Sequence, residues 1–216
     1  MRLLQFPKSQ ESRINRIPFF IFFVSDYTFN GVSAFLLYFA EYFFCFWQRF
    51  NLLIDKYIYD MMRKIHNGWN GTPGYNCFGC CATNPEGLRM EFYEDGDEIV
   101  SYWQPTANKQ GWINILHGGI QATLADEIAS WVVFRKLQTS GVTVQLNVRY
   151  RKSIDIRDGK ITLRAKLLGR RRNLADIEVK IFDAHDELCT EVAVVYFTSN
   201  EQQAKEMGFV PFELEE

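Results

Sequence analysis

In the stretch from residue 88 to 198, a single run has apolar residues at helical spacing: Ile120, Leu124, Ile128 and Trp131, within residues 118–137. Everything around it reads as strand. Leu88, Met90 and Phe92 alternate with Arg89, Glu91 and Tyr93, and the Asp95-Gly96 turn leads to a second strand near residues 98–104. After the helix, Gly141 restarts the chain. Val142, Val144, Leu146, Val148 and Tyr150 then alternate with Thr143, Gln145, Asn147, Arg149 and Arg151 in the clearest period-two run of the sequence. Asp158-Gly159 turns into a strand carrying Ile161, Leu163, Ala165 and Leu167; another carries Ile177, Val179 and Ile181; a last one spans residues 188–198. One helix cannot cover both faces of five or six antiparallel strands. The pattern therefore predicts an α+β fold in which a curled sheet of five or six strands wraps one long central helix, leaving its other face to water or a partner. Uncovered sheet edges invite pairing, so a homodimer or homotetramer with a continuous sheet is expected.

The chain divides by composition into residues 1–60, an irregular lead-in at 61–87, the helix-and-strand region at 88–199 and a tail at 200–216. Twelve of the 19 phenylalanines lie in residues 1–60, but only one of the 14 glycines, Gly31. The apolar runs at 17–24 and 32–47 are shorter than the roughly 20 residues of a spanning helix. Arg2, Lys8, Arg13 and Arg16 precede the first run, as in a signal peptide, without a clean small-residue cleavage site. A membrane-associated extension, a cleaved signal and translated AT-rich non-coding sequence compete for this segment. The third is favoured, because Met61 and Met62 open a stretch of ordinary domain composition. Membrane contact is expected only if residues 1–60 are genuine. Peptides from before Met61 in the native protein would overturn the favoured reading.

A formal net charge of -2 makes no global case for nucleic acid or an anionic membrane, and no nucleic-acid partner is expected. The five cysteines, Cys45, Cys77, Cys80, Cys81 and Cys189, are odd in number and unlike a secreted disulfide framework. They read as reduced thiols in the cytoplasm. Cys77, Cys80 and Cys81, with His66 or Cys189, have zinc-ligand chemistry, but a Cys-x-x-Cys without a second pair is a weak signature. Structural thiols are favoured, and no metal or other cofactor is expected.

The chemistry concentrates between residues 110 and 127. His117-Gly118-Gly119 supplies the first turn of the helix, where free backbone N–H groups and partial positive charge gather. Two glycines there let a ligand approach the backbone, as an oxyanion hole requires. Asp126 lies two turns further on, on a face it shares with Gly119, Ala122, Thr123, Ala129 and Ser130, all small. A mid-helix aspartate has no propensity advantage, so a role must justify it.

The strand and helix order, His117-Gly118-Gly119, Leu124-Ala125-Asp126-Glu127, and the upstream Cys77-Phe78-Gly79-Cys80, Asn84-Pro85 and Gly87-Leu88 resemble the hotdog-fold acyl-CoA thioesterases of the PaaI-like (phenylacetate-pathway) type. The resemblance covers roughly residues 75–198. It implies a hotdog fold and an enzyme hydrolysing a thioester to a free acid and coenzyme A. It implies that Asp126 is general base or nucleophile, that the amide of Gly118 or Gly119 polarises the thioester carbonyl, and that His117 shapes the turn. It implies a hydroxyl from the strand after the helix, Thr143, acting from the other subunit. It also implies a water-orienting residue in the preceding loop, for which Asn108, Gln110 and Asn114 are candidates that spacing does not separate. Glu127, beside Asp126, is grouped with the substrate-binding candidates.

Arg151 and Lys152, and the turn Arg170, Arg171, Arg172 and Asn173, offer charge and hydrogen bonds suited to coenzyme A phosphates. A solvated basic turn with no ligand is the alternative for the triple arginine, and the resemblance favours the ligand. Trp112, Ile113, Ile115 and Phe134 are candidates for the acyl pocket, although Trp112 and Trp131 are expected to pack. His185 reads as an exposed loop residue. The rival functions are a non-catalytic acyl-CoA or lipid binder, and a hotdog hydratase or dehydratase. No histidine follows Asp126 until His185, which argues against the latter.

Overall fold

The computed structural model describes residues 62–215, and the expectations placed on residues 1–60 lie outside the described residues. In chain order the elements are β1 (Arg63–Lys64), β2 (Tyr93–Asp95), β3 (Glu98–Trp103), α1 (Gly118–Lys136), β4 (Gly141–Tyr150), β5 (Ile161–Arg171), β6 (Leu174–Phe182), β7 (Leu188–Thr198) and α2 (Glu201–Glu206). The strands form one antiparallel sheet in the order β1-β2-β3-β5-β6-β7-β4.

That sheet has seven strands, not the five or six expected. The addition is β1, too short for its two residues to show any alternation. The first expected strand is also shorter than its pattern. Leu88, Met90 and Phe92 are buried and Arg89 and Glu91 exposed, as the alternation requires, yet ladder pairing begins only at Tyr93. The amides of Leu88 and Met90 bond instead to the carbonyls of Phe78 and Gly79, at 2.7 and 2.9 Å. Arg89 between them takes φ 52, a left-handed conformation that no ladder residue adopts. Side-chain burial set the alternation, and the lead-in loop took the hydrogen bonds.

The core lies between α1 and the inner face of the sheet. Ile161, Leu163 and Ala165 of β5, Ile177, Val179 and Ile181 of β6, and Val192 and Val194 of β7 all face inward. They meet Leu124, Ala125, Ile128, Ala129, Val132 and Val133, so α1 is buried on most of its circumference. Trp131 stacks on Phe92 with ring centroids 4.1 Å apart, and Phe212 from the tail meets it edge-on at 4.9 Å. His66 and Glu215 bond across to Glu213 and Lys64, so the lead-in and the tail close over this end of the helix together.

Among the described residues β4 is an edge strand, paired only to β7. Its register shifts between Thr143 and Gln145: Thr143 opposes Tyr196, whereas Gln145 opposes Val195. Val144 is thus the extra residue of a β-bulge. In an unbulged strand Thr143 and Leu146, three residues apart, would point to opposite faces. With the bulge, both share the inner face of Tyr196 and Val194. The face expected from sequence, Val142 through Tyr150, is split accordingly. Val142 and Val144 are 53% and 58% exposed, whereas Leu146 and Val148 are half-buried.

Candidate active site

The start of α1 is held by its approach loop. The amides of Leu116 and His117 bond to the carbonyls of Ile154 and Lys109, both at 3.0 Å. His117 is the N-cap, and its Nδ1 accepts the Gly119 amide at 2.9 Å. That bond assigns Nδ1 as the unprotonated nitrogen. It also engages the Gly119 amide, which leaves the Gly118 amide as the donor of the pair that can meet a ligand. Tyr150 donates its hydroxyl to the Gly118 carbonyl at 2.7 Å. A β-carbon on Gly118 would lie 3.1 Å from that hydroxyl, tighter than ordinary contact, so the approach of Tyr150 favours glycine here.

A cavity of about 570 Å³ opens at this helix start, lined among others by Trp112, Ile115, His117, Gly118, Arg151 and Lys152. Its size is in the range of small-molecule sites. Trp112 was expected to pack, but it is 83% exposed on the rim, because the loop 111–114 closes on itself and turns the indole outward. Ile113 is equally exposed and does not line the cavity. Phe134 does not line it either; it packs among Trp69, Trp131 and Phe212. Of the expected acyl-pocket residues only Trp112 and Ile115 are there.

Arg151 and Lys152 stand at the cavity, each already paired. Arg151 bonds Glu191 at 2.7 Å, and Lys152 pairs with Asp183 at 3.1 Å and with Glu187. These acids, Glu187 first, hold the Lys152 ammonium well above its usual range. The triple arginine lies elsewhere. Arg170 borders a second cavity with Leu137, at the end of α1 remote from Gly118, and donates to Thr198 at 3.2 Å. Arg171 is paired with Asp176, the Arg172 carbonyl accepts from Arg170, and the Asn173 carbonyl accepts the Thr198 amide.

Asp126 is half-buried and held from two strands. Its Oδ1 accepts the Thr143 hydroxyl at 2.6 Å and the Tyr196 hydroxyl at 3.0 Å. The register of β4 against β7 makes this possible, because it puts Thr143 on the inner face directly opposite Tyr196. Thr143 therefore reaches the Asp126 of its own chain, where the family resemblance placed it on the other subunit's site. Burial, then the Asp126 charge, push the Tyr196 hydroxyl well above its usual range, so it stays a donor. On the same helix face Ala129 and Ser130 are buried, which confines the open space beside Asp126 to the side of Ala122 and Thr123.

Glu127 turns the other way. Its carboxylate lies against the Cys77–Cys80 loop: Cys77 Sγ is 3.7 Å from both oxygens, and Trp131 Nε1 donates to Oε1 at 3.3 Å. Burial, then Cys77, push the Glu127 carboxyl up to about 7. Glu127 thus shares neither the cavity nor the surroundings of Asp126.

The loop candidates stay apart from the cavity. Asn108 sits exposed on a short 3-10 turn and accepts the Thr106 hydroxyl at 2.6 Å. Gln110 accepts the Asn114 amide at 2.9 Å, so its side chain closes the loop. Asn114, at φ 63, gives its carbonyl to Ile156. His185 is half-buried rather than exposed, 3.4 Å from Asp158. Sequence reasoning missed Tyr196 and Tyr150, because each sits in an alternating strand run where an aromatic residue reads as core.

Gly118 and Asp126 are eight residues apart on one helix. At about 1.5 Å per residue that separates them by roughly 12 Å along the axis. One chain's carboxylate and its own helix-start amide cannot act on the same carbonyl group.

Residues 113–190, from the approach loop of α1 into β7, match the family model described as the thioesterase superfamily. An uncharacterized protein of Schizosaccharomyces pombe is 40% identical over 58 residues, which are 26% of this chain and 33% of that protein. The chain thus matches about a third of the length of that curated relative. Among solved structures, a thioesterase superfamily protein is similar with a TM-score of 0.51 at 21% identity, over 56% of this chain and 62% of that one. A thioesterase from Haemophilus influenzae is similar with a TM-score of 0.48 at 22% identity, over 52% and 80% of the two chains. The chain has the hotdog fold: a curled antiparallel sheet of seven strands around one main helix.

Proposed function

We propose that this chain is an acyl-CoA thioesterase of the PaaI-like type, acting as a homodimer or a higher assembly of dimers. The observation that carries the reading is the Asp126 carboxylate, fixed at one oxygen by the Thr143 and Tyr196 hydroxyls on a helix whose first turn offers the Gly118 amide. Two oriented donors on one oxygen leave Oδ2 to meet water or substrate. The roughly 12 Å between Gly118 and Asp126 of one helix is bridged when the Gly118 amide of one copy faces Asp126 of the partner subunit. The amide then polarises the thioester carbonyl, and the carboxylate either takes a proton from an attacking water or attacks to form an anhydride that water opens. The products are a free acid and the coenzyme A thiol. Arg151 and Lys152 at the cavity are suited to the phosphates, which they would take in exchange for Glu191, Asp183 and Glu187. The four free thiols of the described residues suit a reducing compartment such as the cytoplasm. Among the described residues no helix is long and apolar enough to cross a membrane.

The test is thiol release from a panel of acyl-CoAs by the full chain, with Asp126→Asn alongside. The expected loss of rate in the variant is about 10²–10⁴-fold, the usual contribution of a positioned acid or base. Binding without hydrolysis would replace this reading by that of an acyl-CoA-binding protein. Neither binding nor hydrolysis would remove the thioester as ligand.

A further inference from the structure

The Cys77–Cys80 loop and Glu127 come from segments 50 residues apart in the chain, and Cys77, Cys80 and Glu127 bring their ligand atoms within 4.8 Å of one another. From these positions we propose that the three residues form a binding site for a zinc ion, which ties the lead-in loop to α1.

The spacing suits the ion. Zinc bonds of about 2.3 Å to sulfur and about 2.1 Å to a carboxylate oxygen, at tetrahedral angles, put sulfur and oxygen about 3.6 Å apart. Cys77 Sγ lies 3.7 Å from each Glu127 oxygen. The loop is also shaped around the carboxylate. A β-carbon on Gly79 would lie 2.2 Å from Glu127 Oε2 and 2.3 Å from its carboxyl carbon, so with glycine here the loop closes over the carboxylate where it stands. Cys80 is buried while Cys77 and Glu127 are half-buried, which leaves the ion a way in.

The surroundings supply what such a site needs beyond its ligands. Two thiolates and a carboxylate around Zn²⁺ carry one net negative charge, the thiol protons leaving to solvent. Two N–H donors face that charge: the Gly79 amide to Cys77 Sγ and the Trp131 indole to Glu127 Oε1, both at 3.3 Å. Neither arginine nor lysine pairs with Glu127 among the described residues, so a cation is the partner this group of acids lacks. Tyr75 stands beside the cluster, its hydroxyl 2.9 Å from Cys80 Sγ and accepting from Asn67 at 3.1 Å, and a water molecule can complete the four ligands. Cys81 takes no part; its thiol turns to the Tyr75 carbonyl and the Thr83 hydroxyl. His66 and Cys189 take none either. The ligand that sequence spacing could not reveal is Glu127, because it comes from the helix.

The reduced full-length protein, stripped with a chelator, is titrated with Zn²⁺ and separately with Co²⁺. One ion per chain is expected, with a thiolate-to-cobalt charge-transfer band and at least tenfold slower alkylation of Cys77 once Zn²⁺ is bound. Cys77→Ser and Glu127→Gln should each weaken Zn²⁺ binding by more than about 100-fold, beyond the 10–100-fold typical of losing an outer partner. Cys81→Ser should leave it unchanged. No stoichiometric ion, no charge-transfer band, or a Glu127→Gln protein that binds Zn²⁺ as tightly as the wild type would each overturn the site. Alkylation of the wild-type protein decides the matter even where a variant fails to fold, and no readout depends on thioester hydrolysis.

Discussion

At the scale of single residues, the candidate site rests on two hydroxyls sharing one carboxylate oxygen. Thr143 and Tyr196 are cross-strand neighbours and both donate to Asp126 Oδ1. Either can hold the carboxylate, but only together do they fix its plane. Tyr196→Phe is expected to lower turnover by about tenfold and stability by about 1 kcal/mol, the usual worth of a hydrogen bond to a retained partner. Thr143→Val should behave similarly, and the double variant should lose more than the two single effects combined. Turnover and thermal unfolding of the three variants check this; additive losses would mean that the two hydroxyls act independently. Asp126 itself was legible in the sequence, since a mid-helix aspartate among small residues asks for a role. Its partners were not. Thr143 sits on the polar side of a strand alternation and Tyr196 on the apolar side of another, and only the register of β4 against β7 brings them to one atom.

Among the elements, β4 shows why periodicity stops short. The alternation of residues 142–151 located the strand correctly, and the runs through β5, β6 and β7 were equally plain, since each buries one face against α1. Alternation cannot announce a bulge, because the extra residue, Val144, is as apolar as Val142 and Leu146, its partners in the alternation. It reverses the inward side partway along the strand. Deletion of Val144 should therefore leave a regular ladder with Thr143 still opposite Tyr196 and cost less than about tenfold in turnover, while Val144→Thr, which keeps the bulge itself, should cost less than about twofold. Steady-state hydrolysis by the two proteins measures the difference. The contact between Glu127 and the Cys77–Cys80 loop was likewise hidden. Nothing local to residue 127 points 50 residues back, and the glycine that makes the contact possible reads in sequence as turn punctuation.

On the scale of the whole molecule, the sheet formed by the described residues has one long edge unpaired among them. β1 at one end is two residues long, whereas β4 at the other has ten and exposes Val142, Val144 and Tyr150. An open apolar edge of that length is where a second copy is expected to add. Light scattering of the full chain should give at least a dimer, and Val142→Lys should shift it toward monomer and lower the rate of hydrolysis with it; a wild-type monomer that hydrolyses thioesters at full rate would contradict the two-copy site. The position of Thr143 adds something further. The hydroxyl that steadies Asp126 is carried by the outermost strand, bonded through its backbone on one side only, while the rest of the core is enclosed. On gentle warming or dilution the rim of such a sheet loosens before its centre. Activity in this protein would then fade while its spectroscopic signature of folding was still intact, and the catalytic lifetime of a sample would report on its edge, not its core.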